Sequence, residues 1–473
     1  MVETIHTFVN KLNGPLWQLL VFLLLGVGLF FTFRTGFVQI RLFARSVKEM
    51  LSGRQEGDDP HGITPFQAFV TGLASRVGVG NIAGVAIAVS MGGPGAVFWM
   101  WLTALLGMSS AFAESSLAQL FKVRDYDSHH FRGGPAYYIT QGLKQRWLGI
   151  LFALSLILAF GFVFNAVQAN SIVAATQTAW GWKPELVGMA LVIMTAPIIF
   201  GGIRRVSKIS EGVVPVMAIL YLLMAVYVIL TNLSAVPAVF ALIFEKAFDF
   251  QAAAGGFFGG MAAQAMMLGI KRGLFSNEAG MGSAPNAAAA AEVKHPVSQG
   301  MIQMLGVFVD TVVVCSCTAF ILLLSHVTQN PGEMTGVQLT QTAIESHVGA
   351  WGKDFLAVLL FMFAYSSIIG NYAYAESNVQ FIKSSRLSLA IFRSIVLGFV
   401  YFGAVNSVPV VWDMADLSMG IMALINLIAI IALSPLVFLL LRDYTAKLKM
   451  GKDPEFKLSE HPGLKRRIKS DIW

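Results

Sequence analysis

The sequence predicts an all-α membrane protein of eleven transmembrane helices: one extra N-terminal helix, then two five-helix repeats of opposite orientation. Three observations carry this. Apolar runs of about 18–25 residues, each long enough to cross a bilayer, recur along a chain that is 56% hydrophobic and only 12% charged. An ordinary soluble domain carries about 25% charged residues. Cations collect on alternate connections between the runs. Two glycine-interrupted segments lie five helices apart, so an odd offset turns one against the other, the pattern of an inverted repeat.

The helices are expected near 16–34, 66–90, 95–121, 149–179, 185–201, 212–231, 254–280, 298–327, 353–382, 387–405 and 410–441, numbered 1 to 11 below. The first lacks a basic leader or a small-residue cleavage site and reads as a retained helix. The repeats then cover 66–231 and 254–441, and 442–473 forms a basic tail. The whole is expected to be one transporter domain. Connections such as 34–54, 122–146 and 204–208, together with the tail, hold 26 of the 33 Lys and Arg, against four on the other side. Positive-inside bias places the first face in the cytoplasm and the N-terminus outside. That makes the net charge of +7 a topology signal and removes nucleic acid as a partner; the lipid bilayer takes its place. Cys315 and Cys317 are two apart in one helix, point to different faces and are not expected to pair. None of the eight histidines has metal-ligand spacing, and no nucleophile–base set is readable. An intramembrane enzyme is thereby disfavoured, no cofactor is expected, and no repeated polar ring suggests a passive channel.

Helix 2 is interrupted at Ser75-Arg76-Val77-Gly78-Val79-Gly80-Asn81. A broken helix survives in a bilayer only where it lines a cavity or lies in protein. The amides near Val79 and Gly80 begin a half-helix and suit a carboxylate. The carbonyls of Ala74 and Val77 suit a hard cation, and Asn81 offers a side-chain oxygen. Helix 9 brings Phe363-Ala364-Tyr365-Ser366-Ser367, whose adjacent hydroxyls and bare carbonyl would complete an oxygen cage for Na⁺. On helix 4, Phe164 and Gln168 share a face, the glutamine reaching a substrate and the ring closing an apolar wall. Helix 7 is expected to break at Leu268-Gly269-Ile270-Lys271-Arg272-Gly273, with Gln264, Met267, Gly269 and Ile270 lining a small side-chain pocket. Asp310, in mid-helix 8, is expected either to neutralise Arg76 or to serve cation or proton coupling. Lys271, Arg272 and Glu278 are expected in an inner gate. Glu114 and Glu376 are expected to anchor basic groups.

The string Val77-Gly78-Val79-Gly80-Asn81-Ile82-Ala83-Gly84 resembles the first motif of the alanine/glycine:cation symporter family. Gly92-Gly93-Pro94-Gly95 and Gly133-Gly134-Pro135-Ala136-Tyr137-Tyr138 are similar to further blocks. The most specific match is Gly269-Ile270-Lys271-Arg272-Gly273-Leu274-Phe275-Ser276-Asn277-Glu278-Ala279-Gly280-Met281-Gly282-Ser283-Ala284-Pro285. The resemblance covers nearly the whole chain. It implies a leucine-transporter-like fold in the plasma membrane and Na⁺-driven uptake of alanine, glycine or another small neutral amino acid. It also implies carboxylate binding at Val79 and Gly80 with Gln168, and Na⁺ at the helix 2 carbonyls with Ser366 and Ser367. The family commonly has Thr at the place of Val79 and a bulky aromatic at that of Asn371, which makes Asn371 a candidate determinant of substrate size. A proton-driven symporter of the same fold is the alternative.

Overall fold

The computed structural model describes residues 2–53, 62–125, 130–248, 261–329, 332, 334, 336–406, 408–465, 468 and 472–473. The architecture is helical, with one short hairpin, Val123–Asp125 paired to His130–Arg132. Among the described residues, eight helices are long and apolar enough to cross a membrane, and a bent pair, Pro65–Arg76 and Gly80–Gly92, adds a ninth. The shorter Pro184–Ile199 stands at the expected helix 5, and Met261–Asn277 at helix 7. The expected connections hold helices of their own, among them Phe43–Ser52, Val236–Ala247 and Gly336–Val348. Short amphipathic helices let a long connection bury apolar side chains at the ends of the bundle. The sequence Gly57-Asp58-Asp59-Pro60, expected to form a turn, and the pairs Gly255-Gly256 and Gly259-Gly260, expected to weaken the start of helix 7, lie outside the described residues.

Two expectations about element limits are corrected. Helix 1 runs from Val2 to Arg34, well before the expected start. Trp17 and Asn13 donate hydrogen bonds to the carbonyls of Asp416 (3.2 Å) and Asp413 (3.0 Å), so partners on helix 11 stabilise a stretch of weak hydropathy. Helix 11 ends at Ala432 and resumes as Ser434–Lys449, because Pro435 cannot continue the hydrogen-bond ladder.

Helix 2 starts with a capping box: Thr64 accepts from the Gln67 amide, Gln67 accepts from the Thr64 amide, and Pro65 takes the first turn. The segment just before it pairs with the far end of the helix 7 region. The Ile63 amide donates to the Ala290 carbonyl (3.1 Å), and the Glu292 amide to the Ile63 carbonyl (3.0 Å). The start of helix 2 is thus tied to the segment that follows helix 7.

The tail docks against the helix ends rather than trailing. Phe456 is buried beside His295 and His461, its amide donates to the Lys294 carbonyl (2.9 Å), and Trp473 donates to the Gln119 carbonyl (3.3 Å). Asp443, Glu460 and His461 bring ligand atoms within 4.8 Å of one another, a grouping that sequence spacing hides. Lys447 is already bonded to both carboxylates at 3.0 and 2.7 Å and supplies the cation there. His295 accepts from the Val297 amide at Nδ1 (3.1 Å), so its proton sits on Nε2 and faces Asp443 (3.1 Å). Burial pushes the His295 imidazole down to about 4, against the pull of Asp443. For Asp443, burial alone would raise the carboxyl, but Lys447 and His295 outweigh it and hold it low. Both signs agree. The unfolded imidazole takes a proton that the native one refuses, so stability is complete above about pH 6.5 and falls toward pH 4, by about 3 kcal/mol for His295. The Asp443 contribution is lost as pH falls in the same direction. Hydrogen exchange of 450–465 is expected to speed up on acidification relative to the helices, after correction for intrinsic rates. His295→Asn, which keeps a cap, is expected to remove most of that dependence.

Candidate functional site

Helix 2 stops at Arg76. Val77 takes φ −77°, ψ 89°, outside the helical region, and the chain re-enters a helix at Gly80 bent by 49°. Val77, Val79, Gly80 and Asn81 are fully buried. Freed backbone donors there need partners, and side chains supply them. Asn81 accepts from the Gly78 amide (2.8 Å), and Gln168 of helix 4 accepts from the Val79 amide (3.2 Å). The Asn81 amide group then donates to both the carbonyl (3.1 Å) and the carboxylate (2.7 Å) of Asp310. Asn81 therefore caps the break and ties it to helix 8.

Asp310 also accepts from Ser276 (2.8 Å) and Thr311 (2.7 Å). It does not pair with Arg76. That guanidinium is 2% exposed, donates to the Gln303 carbonyl (3.2 Å) and meets no carboxylate within 4 Å among the described residues. Its field is shared instead among Glu114, Glu278 and Asp310.

On the other side of the break, the Ser367 hydroxyl of helix 9 donates to the Ala74 carbonyl (2.9 Å) and lies 3.0 Å from the Phe363 carbonyl. The Ser367 hydroxyl thus lies beside both carbonyl oxygens. The Ser366 hydroxyl also reaches Phe363 (2.9 Å) but otherwise faces the sulfur of Met217 (3.7 Å). A Cβ added to Gly78 would collide with the Ser367 hydroxyl and sit 3.2 Å from Gln168. The missing side chain of Gly78 lets helices 2, 4 and 9 meet.

The expected break in helix 7 is displaced. Met261–Asn277 is one uninterrupted helix, and the chain turns at 278–284, where Glu278, Gly280 and Gly282 have φ of 59°, 83° and 85°. Gly269 faces the Ala96 carbonyl and Trp99 at a helix crossing, so its role is close packing. Gln264 is exposed, Met267 half-buried and Ile270 buried. At 1.5 Å per residue, Gln264 lies about 20 Å up the helix from Asn277 and cannot line the turn. The residues that approach the helix 2 break are Phe275 and Ser276, both against Gly80.

Lys271 and Arg272 do not share a gate with Glu278. Both pair with Asp416 of helix 11, at 2.7 and 2.5 Å, and Arg272 lies 4.8 Å over the Trp412 ring. Trp412, Phe275, Phe164 and Phe160 then form a column with centroids 4.8, 4.6 and 4.6 Å apart, covering the break on that side. Glu278 lies on the opposite side, accepting from Ser283 (2.5 Å), with its Oε1 2.7 Å from the Ser75 hydroxyl oxygen. Ser75 also reaches Asn371, which in turn donates to Asn165 (3.2 Å). Glu376 anchors Arg393 as expected (3.0 Å). Glu114 instead accepts from the Gly280 amide (3.2 Å) and from Asn426 (2.7 Å), bracing the helix 7 turn. Ser75, Phe275, Ser276 and Asp416 are the residues that the sequence reading missed. The small polar run Phe275-Ser276-Asn277-Glu278 between two helices carried a readable hint.

A profile of the family described as "Sodium:alanine symporter family" matches residues 2–458. The chain belongs to that family. The transporter is 49% identical over 473 residues to the amino-acid carrier protein AlsT of Bacillus subtilis (strain 168), covering 100% of this chain and 98% of the relative. It is 47% identical over 468 residues to the probable sodium/glutamine symporter GlnT of the same organism, covering 98% and 96%. The crystal structure of MhsT in complex with L-phenylalanine superposes with a TM-score of 0.52 at 12% identity, over 80% of this chain and 97% of that one. This establishes the leucine-transporter-like fold.

Proposed function

We propose that this transporter couples inward movement of Na⁺ to uptake of a small neutral amino acid, alanine or glycine. The observation that carries the reading is the interrupted helix 2, its amides and carbonyls turned toward helices 4 and 9 rather than into a ladder. Na⁺ binds at Ala74, Val77 and Phe363 carbonyls with Ser366 and Ser367; such hard, uncharged oxygens suit a hard cation. The substrate carboxylate takes the Val79 and Gly80 amides, displacing the Gln168 side chain, which then hydrogen-bonds the ligand. Phe164 and Phe275 close an apolar wall that limits side-chain size. Since Ala74 and Val79 flank the same break, an ion that fixes its shape raises affinity for the amino acid, and the reverse holds by linkage.

In this reading eleven helices cross the plasma (inner) membrane, with the N-terminus outside and the tail in the cytoplasm, as the cation distribution supports. Helices 2, 3, 7 and 8 rock against the rest. The relative named for glutamine supports a second substrate reading, since Asn371 and Asn165 leave amide groups close to the site.

Ser367→Ala removes the hydroxyl nearest the Ala74 carbonyl, whereas Ser366 faces a methionine sulfur. Ser367→Ala is therefore expected to raise the Na⁺ concentration needed for half-maximal uptake about ten-fold or more, and Ser366→Ala less. Competition of labelled alanine uptake by glycine and by glutamine separates the two substrate readings. An unchanged Na⁺ dependence in both serine variants contradicts the ion site.

A further inference from the structure

A chain of buried hydrogen bonds joins helix 4 to the helix 7 turn, and its polarity is fixed at one end. The carbonyl of Gly161 can only accept, so Asn165 turns its amide nitrogen toward it (3.0 Å) and its oxygen toward Asn371. Asn371 must then donate to Asn165 (3.2 Å) and present its own oxygen to Ser75 (2.7 Å). Ser75 has one hydroxyl proton, and it goes to Asn371. Yet the Ser75 oxygen is also 2.7 Å from Oε1 of Glu278. That contact is a hydrogen bond only if Glu278 supplies the proton. Giving the serine proton to an ionised Glu278 inverts both amides or leaves one unmatched. Either way two acceptors face each other somewhere between Glu278 and Gly161. All four side chains are buried, so water does not relieve such a contact, and an unmatched buried polar group is costly.

We propose that Glu278 is a proton-binding site, neutral in this hydrogen-bonded arrangement, whose O–H completes a latch from helices 2 and 7 to helices 4 and 9. Its surroundings fit. The charged and titratable groups facing it are Arg76 of helix 2, Asp310 of helix 8, Glu114 of helix 3 and Tyr374 of helix 9. Both oxygens of Glu114 and one of Asp310 meet N–H groups, which can only donate, and the two carboxylates share the one guanidinium with Glu278. A third buried anion there has no cation of its own. Glu278 also sits at a left-handed φ of 59°, unusual for a residue with a side chain, and two hydrogen bonds hold it. When the proton leaves Oε1 for water, Ser75 turns its own proton to the carboxylate and Asn371 loses its donor. The contact between the two helix pairs is broken, and opening is favoured. Protonation restores it.

What the latch does in transport rests on the symport reading; the proton itself does not, and it is tested without Na⁺ or substrate. Infrared difference spectra of the reconstituted transporter, taken from acidic to alkaline pH, are expected to show a buried protonated-carboxyl C=O band that disappears on titration. The band is expected to be absent in Glu278→Gln and retained in Glu114→Gln and Asp310→Asn. Glutamine also donates to Ser75, so hydrogen exchange at 74–80 is expected to stay slow at all pH in Glu278→Gln and to speed up with pH in the wild type, after correction for intrinsic rates. In Ser75→Ala, which keeps the carboxyl but cuts the latch, the band is expected to stay and the pH dependence of exchange to vanish; this second variant decides if the first does not fold. A band unchanged in Glu278→Gln, or the same pH dependence of exchange in wild type and Ser75→Ala, overturns the proposal.

Discussion

Asn81→Ala is expected to abolish uptake and to lower the thermal stability of the purified transporter. Asn81 does two things at once: it accepts from the Gly78 amide and donates to the Asp310 carboxylate. Truncation leaves the Gly78 amide and one oxygen of the Asp310 carboxylate buried and unmatched, at about 1–3 kcal/mol each and more for the charged one. The hydrogen bond from the Thr318 hydroxyl to the Asn81 carbonyl survives (2.5 Å), so the segment stays attached to helix 8 but loses the cap that shapes the break. Asn81→Asp tests the same point differently. It keeps the acceptor for Gly78 but sets a second carboxylate against Asp310, and is expected to fail as badly. Asp310→Asn is expected to be milder, because the hydroxyls of Ser276 and Thr311 can rotate and accept. Thermal unfolding and labelled-substrate uptake measure all three. Wild-type stability and uptake in Asn81→Ala would show that the break does not depend on this cap.

The second large effect is expected at Asp416. It is 2% exposed and is the shared partner of Lys271 and Arg272, whose side chains are 16% and 4% exposed. Breaking a buried pair by removing one member costs about 3–5 kcal/mol, because a bare charge remains. Two Arg272 nitrogens already have no partner, leaving that group only the faces of Trp412 and Phe275. Asp416→Ala is therefore expected to unfold at clearly lower temperature and to loosen the aromatic column over the break. Lys271→Ala is expected to be mild, since Arg272 still neutralises Asp416. Equal effects of the two variants would contradict this assignment.

The sequence made legible what composition and backbone chemistry dictate. The apolar runs located the spans, and the glycines with Asn81 located the first break, because glycines weaken a helix and a polar side chain at that depth can cap the freed groups. Ser367 was legible as a hydroxyl at mid-helix. What was not legible depends on partners distant in sequence. Gly269 reads as a breaker but serves a helix crossing with Ala96. The true turn of helix 7 is set by Glu278, Gly280 and Gly282, braced by Glu114 and Asn426. Arg76 and Asp310 look like a pair because each is a lone charge in an apolar run; in space Asp310 is satisfied by Asn81, Ser276 and Thr311 instead. Asp416 carries no hint in its own segment of the two cations that it meets. Gln264 was placed at the site only because the break was read ten residues early.

Uptake by proteoliposomes under imposed gradients tests the symport most directly. Labelled alanine is expected to accumulate above its external concentration when Na⁺ is high outside and low inside, and to drain when a Na⁺ ionophore collapses the gradient. Accumulation that is the same with choline replacing Na⁺, or uptake that merely equilibrates under every gradient, would contradict a Na⁺-coupled site at the helix 2 break.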